Sequence, residues 1–357
     1  MKKLSSLTAL TLFASLSFAQ TETVTEEPKG EFQINGSVDA YYRYNFANSK
    51  LRDADGNYVG TNNFTSFTNS QNSFELGMAS LTASYTKGKA SVVVDLGFGS
   101  RATEFAYAET GALQAIKQAY VSYNPTDNIR ISAGKWGTHL GYEVLDPQLN
   151  RNYSMSYMFS YGPFSHTGIK ADFTLGDGFG LMAGIANPAD YISASFAKKN
   201  VIAQFSKTGE KFNAYLNYVG GKDTSSYSSH QVGLTATAAI SDIFSLGYDG
   251  TVKFAKADGA DAESWWGSAL YLNIDPTEKF GITLRGEYFD DKKNVTGTFG
   301  TSLTQATLSF NFKPVSGLAI IPEFRLDSAK DPFFVKDDKG TATKSTGSFI
   351  VAAVYSF

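Results

Sequence analysis

The chain is 357 residues long, has no cysteine and carries a formal net charge of −3. Thiol catalysis, disulfides and thiolate metal sites are therefore excluded, and no excess of basic residues marks a nucleic-acid partner. Glycine is frequent and proline scarce (33 against 9), and Tyr and Phe supply most of an aromatic content of 14%, a balance that favours β structure. No run of about eighteen apolar residues occurs, so any crossing of a membrane has to be made by strands.

The amino terminus predicts a signal peptide over Met1–Ala19: Lys2 and Lys3 form a charged start, Leu4 to Leu16 is mildly apolar, and Ser17-Phe18-Ala19 places small residues before a cut ahead of Gln20. A transmembrane anchor is the alternative, but the segment is short and loaded with Ser and Thr. Residues 20–30 are polar and predict a loose extension. From residue 31 to 357 the pattern is that of a single β-barrel domain.

Its first strand is predicted at 32–46, with Phe32, Ile34, Val38 and Tyr42 on one face and Asp39 and Arg43 on the other. Strands follow at 72–85, 90–99, 115–123 and 129–138, with a partly helix-compatible segment at 100–114. After the long connection 139–164 come 165–175, 179–186, 200–206, 211–220 and 230–240. The last six are 243–256, 264–274, 279–290, 302–312, 317–328 and 345–357. That makes an even number of strands, sixteen, whose connections alternate strictly between short turns and long loops. A soluble sandwich has no reason to sort its loops in this way, whereas an outer-membrane barrel has short turns at one rim and long loops at the other. The fold class expected is therefore all-β, a transmembrane antiparallel barrel with its long loops facing outward from the cell.

The faces agree with this. Val92, Val94, Leu96 and Phe98 alternate along one strand, and Leu308 and Phe310 are expected to face acyl chains with Thr307 toward the lumen. Mid-strand charge falls on the opposite face: Asp39, Arg43, Glu75, Asp95, Lys170, Asp172, Asp249, Lys253, Arg285, Glu287, Glu323, Arg325 and Asp327. A dry core would bury each at a cost of several kcal/mol; a hydrated lumen need not, so these are the candidate pore-lining residues. Leu81 after Met78 breaks the alternation and predicts a bulge. The adjacent Trp265 and Trp266 cannot both face lipid, and they read better as part of the interfacial aromatic girdle than as a sugar-stacking platform. The terminal strand ends in the free aromatic residue Phe357, with Tyr355, Ala353, Val351 and Phe349 on its face.

Six stretches, GSVDAYYRYNF (36–46), NSFELGMASLTASY (72–85), VVVDLGFG (92–99), IKQAYVSY (116–123), IRISAGKWGTHLGYE (129–143) and SHTGIKADF (165–173), carry a resemblance. Through them the amino-terminal half resembles the OmpL-like β-barrel porin family of Gram-negative bacterial outer membranes; the remainder matches in pattern only. The resemblance implies a passive channel for small solutes, with no catalytic residue to carry over.

No enzymatic chemistry emerges from the residues themselves. His139, His166 and His230 have no metal-ligand spacing and are expected as incidental residues of the outer rim. Asp53-Ala54-Asp55-Gly56-Asn57 lacks the Glu that a calcium loop needs twelve positions on, where Phe64 stands. No serine sits in a nucleophile elbow. No cofactor is expected. The reading is a porin for passive diffusion of small hydrophilic solutes and ions; the alternatives are a substrate-selective channel and a structural or adhesin barrel without transport. Expected partners are outer-membrane lipid, the barrel-assembly machinery that reads the Phe357 end, and solutes and ions, with a homotrimer compatible. The longest connection, 139–164, is expected to fold into the lumen, with Glu143, Asp146 and Arg151 projecting toward the solute. Facing it would be a charged wall of Arg43, Arg285, Arg325, Asp39, Glu287 and Glu323, and the acidic pair would give at most a weak cation preference.

Overall fold

The computed structural model describes residues 29–357 except 57, 108, 224 and 225. The signal-peptide segment 1–19, and all of the extension but its last two residues, lie outside the described residues. Strands β1 (Glu31–Asn45), β2 (Ser73–Lys87), β3 (Ala90–Phe98), β4 (Ile116–Thr126) and β5 (Ile129–Gly137) come first. Then follow β6 (Ser165–Gly176), β7 (Phe179–Ala186), β8 (Asn200–Lys207), β9 (Phe212–Gly221) and β10 (Tyr227–Ala239). The series continues with β11 (Phe244–Ala257), β12 (Glu263–Thr277), β13 (Phe280–Asp290), β14 (Ser302–Phe312) and β15 (Leu318–Ala329). A small hairpin, β16 (Phe334–Val335) with β17 (Ala342–Thr343), stands in the last long loop, and β18 (Ser345–Ser356) ends the sheet.

Every barrel strand pairs antiparallel with its chain neighbours, and β18 pairs with both β15 and β1, so the ring closes. Closure matters physically because no unpaired strand edge is left facing hydrocarbon. The seam is also tied at the chain end, where Gly36 and Phe357 exchange backbone hydrogen bonds of 3.0 and 3.1 Å. No strand end lies more than three residues from the limits the alternation predicts. The clean separation of loop lengths does not survive, however. Connections 222–226 and 258–262 are as short as the turn 313–317, because the β10–β11 ladder runs on through Tyr227 and Ala257.

Outward side chains form the apolar band: Leu81, Val94, Val121, Ile169, Leu216, Leu270, Leu284 and Phe324 are all exposed. An apolar surface this continuous is stable only against lipid. Two irregularities set what points inward. Gly77 is the extra residue between Met78, opposite Asp39, and Leu76, opposite Ala40, which is the bulge that Leu81 predicts. Lys117 is the extra residue between Gln118, opposite Asp95, and Ile116, opposite Leu96. The tryptophan pair divides. Trp266 is exposed beside Tyr288, whereas Trp265 is 1% exposed and packs inside on Phe289. Only Trp266 can therefore join an aromatic girdle, because adjacent strand residues face opposite ways. Thr307 does face inward, but it is wholly buried.

Candidate functional site

The connection between β5 and β6, residues 138–164, enters the barrel. Thr138 N donates to Phe164 O (2.9 Å) and closes its base. Inside are a 3-10 turn, Pro147–Leu149, and one short helix, α2 (Tyr157–Ser160), whose Phe159 N is capped by Ser156 Oγ (3.1 Å). The backbone N–H groups of such a segment have no ladder partner and must find acceptors elsewhere. Two wall carboxylates supply them. Glu323 of β15 accepts from Tyr153 N (2.8 Å) and Ser154 N (3.1 Å), and Glu287 of β13 accepts from Tyr157 N (2.9 Å) and Met158 N (2.8 Å). Tyr153 Oη donates to Asp39 Oδ2 of β1 (2.5 Å), and Asn152 Nδ2 to Ser309 Oγ of β14 (2.6 Å). Charge-assisted bonds of this kind are about twice as strong as neutral ones.

Glycines on the inner wall make room for the loop. A Cβ on Gly77 would lie 1.8 Å from Asp39 Oδ2 and 2.8 Å from Tyr153 Oη; on Gly247 it would meet the Tyr142 ring at 2.6 Å, and on Gly267 Met158 Cγ at 2.4 Å. Tyr142 stacks on Tyr271 with ring centroids 4.1 Å apart. Burial pushes the hydroxyl of Tyr153 far above its ordinary range, so it remains the donor to Asp39.

The three loop charges do not project toward a solute. Glu143 is 4% exposed and ion-paired to Arg285, whose guanidinium also donates to Ser154 O (2.7 Å), Met155 O (3.3 Å) and Gln305 Oε1 (3.0 Å). Asp146 pairs with Lys117 (2.5 Å), which also holds Asp95 (3.0 Å). Burial nevertheless raises the Asp146 carboxyl, against the pull of Lys117. Arg151 forms a bidentate pair with Asp275 (2.6 and 3.0 Å) and binds Thr283 Oγ1 (2.8 Å). Where the packed loop strips water from a carboxylate, leaving the charge unpaired costs more than pairing it, so the acids lie against cations, which corrects the expectation of free acids.

Nor does the charged wall face the loop across a gap. Arg325 binds Asp327 (2.8 Å) and Met155 O (2.6 Å), Asp327 accepts from Tyr157 Oη (2.7 Å), and Asp249 accepts from Tyr142 N (3.2 Å). Arg43 donates instead to Thr61 O and Ser70 O (both 2.9 Å), fastening the first long loop. Glu75 is partly buried opposite Tyr41. On the other side of the barrel Lys170 and Asp172 pair at 3.3 Å while partly exposed, with Lys170 over Trp136. Lys253 makes no ion pair among the described residues.

Several contributors escape the strand pattern. Arg101 lies in the helix Ser100–Ala106 (α1), wholly buried, donating to Leu145 O (3.0 Å) and sandwiched 4.9 Å from the Phe67 and Tyr153 rings. A lone Arg beside apolar residues on a short helix was the available signal. His139 and His166 stand at the long-loop ends of β5 and β6, as expected, but they are not incidental surface residues. Their rings lie 5.1 Å apart inside the wall, where burial lowers His139 to about 4.

Free space remains on both sides of the inward loop: a cavity of about 690 Å³ opens at the short-turn end beside Gln148, Lys279, Lys313 and Val354, and smaller ones lie along β4–β11. One cavity of about 460 Å³ at the short-turn side is lined by Arg130, Lys170 and Asp172. Another of about 260 Å³ lies between His139, Tyr142, Gln204 and Thr235.

A closed sixteen-strand barrel with an apolar outer band and an inward loop that divides a polar lumen is the architecture of an outer-membrane channel. Solved structures share the fold. An anion-selective porin from Comamonas acidovorans is 12% identical, with a TM-score of 0.63 over 92% of this chain and 100% of that one. The outer-membrane channel DcaP of Acinetobacter baumannii is 13% identical, with 0.61 over 92% and 97%. OmpT of Vibrio cholerae in its trimer form is 12% identical, with 0.57 over 92% and 99%. No curated protein matches the sequence significantly. The family described as "Putative beta-barrel porin-2, OmpL-like" matches residues 31–357, and the chain belongs to it: it is an outer-membrane porin.

Proposed function

We propose that the porin passes small hydrophilic solutes and ions by passive diffusion along the β4–β11 side, narrowed by loop 138–164. The observation that carries this is the seating of residues 152–158 on Glu287 and Glu323, which holds that part of the loop on the β13–β15 wall, while Lys170 and Asp172 line a cavity at the short-turn end and Lys253 one at the long-loop mouth. Of the remaining mid-strand charges, Asp39, Asp95, Asp249, Arg285, Glu287, Glu323, Arg325 and Asp327 serve mainly to hold the inward loop and Arg43 the first long loop, so ion preference is weak. No catalytic residue is needed. Export by a cleaved signal peptide, recognition of the Phe357 strand by the barrel-assembly machinery and a homotrimer complete the reading.

The test is single-channel recording in planar bilayers. Unitary steps are expected, with larger conductance after residues 143–160 are trimmed. Unchanged conductance would remove the constriction, and no unitary steps would favour a structural or adhesin barrel. Changing Glu143 and Asp146 to amides leaves Arg285 without its acid and Lys117 with Asp95 alone, and should move the reversal potential toward anions.

A further inference from the structure

The long-loop mouth keeps a cavity of about 380 Å³ that the inward loop does not fill. On its wall Val219 of β9, Gln231 of β10 and Lys253 of β11 stand at one level of three neighbouring strands, in register. Around them are five aromatic rings from separate parts of the chain: Tyr107, Tyr161, Tyr191, Phe196 and Tyr227. Tyr107 is 65% and Phe196 58% exposed. Large rings left in water around a concave mouth mark a surface made to be covered.

The polar groups are mixed in sign and partly uncommitted. Asp223 is occupied by Asn200 Nδ2 (2.8 Å) and Ser229 Oγ (2.5 Å), and Asp190 by the N–H groups of Phe164 and Ser165 (both 2.8 Å). Between them the Lys253 ammonium makes no hydrogen bond or ion pair among the described residues, and the Gln231 carbonyl oxygen is likewise free. One ammonium beside two occupied carboxylates gives little net pull on an ion of either sign. Flat rings with convergent donors and acceptors suit instead a ligand with an apolar C–H face and a rim of hydroxyls.

We propose that this mouth cavity is a capture subsite for an uncharged saccharide of about disaccharide size, which stacks on Tyr107 or Phe196 and hydrogen-bonds to Lys253 and Gln231 before entering the lumen. The proposal rests on the diffusion-channel reading and is tested apart from it. Maltose and cellobiose are added as probes during single-channel recording in KCl. The expected result is a reversible, concentration-dependent reduction of current. The double change Tyr107→Ala with Phe196→Ala, and separately Lys253→Met, should each weaken it on the order of tenfold, the upper range for losing an aromatic or hydrogen-bonding contact. Sugar-free conductance of the Tyr107→Ala with Phe196→Ala variant should stay at the wild-type level, and heat-modifiable migration on gels shows that both variants fold. Intrinsic fluorescence of the folded barrel in detergent, titrated with the same sugars, reads binding without conduction. Absence of any sugar effect in both measurements, a block by benzoate but neither disaccharide, or equal block in wild type and variants would overturn the subsite. Loss of unitary conductance with sugar binding intact would overturn only the channel reading.

Discussion

Replacing Arg285 by Met separates the seating of the inward loop from the stability of the barrel. Methionine keeps much of the side chain's volume but removes the guanidinium that reaches Glu143, Ser154 O, Met155 O, Gln305 and Thr307. Arg285 and Glu143 have side-chain exposures of 0% and 4%, so neither partner can be rescued by water. Removing one member of such a buried pair costs about 3–5 kcal/mol. The β12–β13–β14 ladder does not use the guanidinium, so the cost falls on the loop and lowers its seated population by roughly a hundredfold to a few thousandfold. Arg151→Met is the control, because its pair with Asp275 is 29% and 35% exposed and is worth about 0–1 kcal/mol. Single-channel conductance and protease nicking within residues 138–164 should both rise in Arg285→Met and change little in Arg151→Met. Wild-type conductance and nicking in Arg285→Met, or equal effects in the two variants, would refute the argument.

Leu308→Arg, in the middle of β14 on the lipid face, should cost roughly 2–4 kcal/mol in urea unfolding from lipid vesicles, and Gln204→Arg on the inner wall far less. Equal losses would mean the faces are assigned wrongly. Thr307, although it faces inward, would not serve as the control, because it is buried against Arg285. Deleting Phe357 removes the bonds to Gly36 and the aromatic end, and should lower the amount of heat-modifiable folded barrel in the outer membrane; normal levels would count against it. His139 titrates at about 4 when seated, against 6.5 ordinarily, so an unseated loop takes up its proton first and seating is lost as pH falls from about 6.5 to 4. Asp190, raised by burial to about 6, acts in the opposite sense, with its contribution lost as pH rises through 6. The measurement is therefore the difference between wild type and His139→Gln in loop nicking across that range, and no difference would discard the switch.

The strands were legible because period-two alternation is a local property, and closure followed from their even number and the sorting of their loops. The lumen was only half legible. Which face Arg285 or Asp249 occupies can be read from position, but not that Arg285 holds Glu143 and Asp249 the Tyr142 N–H, since each pairing spans more than a hundred residues. The Lys117 bulge was invisible, because one extra residue in a strand changes its face without changing its composition. The inward glycines Gly77, Gly247 and Gly267 looked like ordinary strand weakeners; only the Asp39, Tyr142 and Met158 atoms lying against them give them a purpose. The histidines misled for a related reason, as a loop residue and a strand-end residue meet only when the loop turns inward.

Tyr153 ties the inward loop to the closure of the ring. Its backbone N–H is held by Glu323 on β15 and its hydroxyl by Asp39 on β1, and the only strand between those two is β18, the last to be made. Until β18 joins β1, the two anchors belong to opposite ends of an open sheet and no single residue can reach both. Both anchors of Tyr153 therefore come within reach together only in the closed ring, so the seated loop and the seam made by β18 support one another.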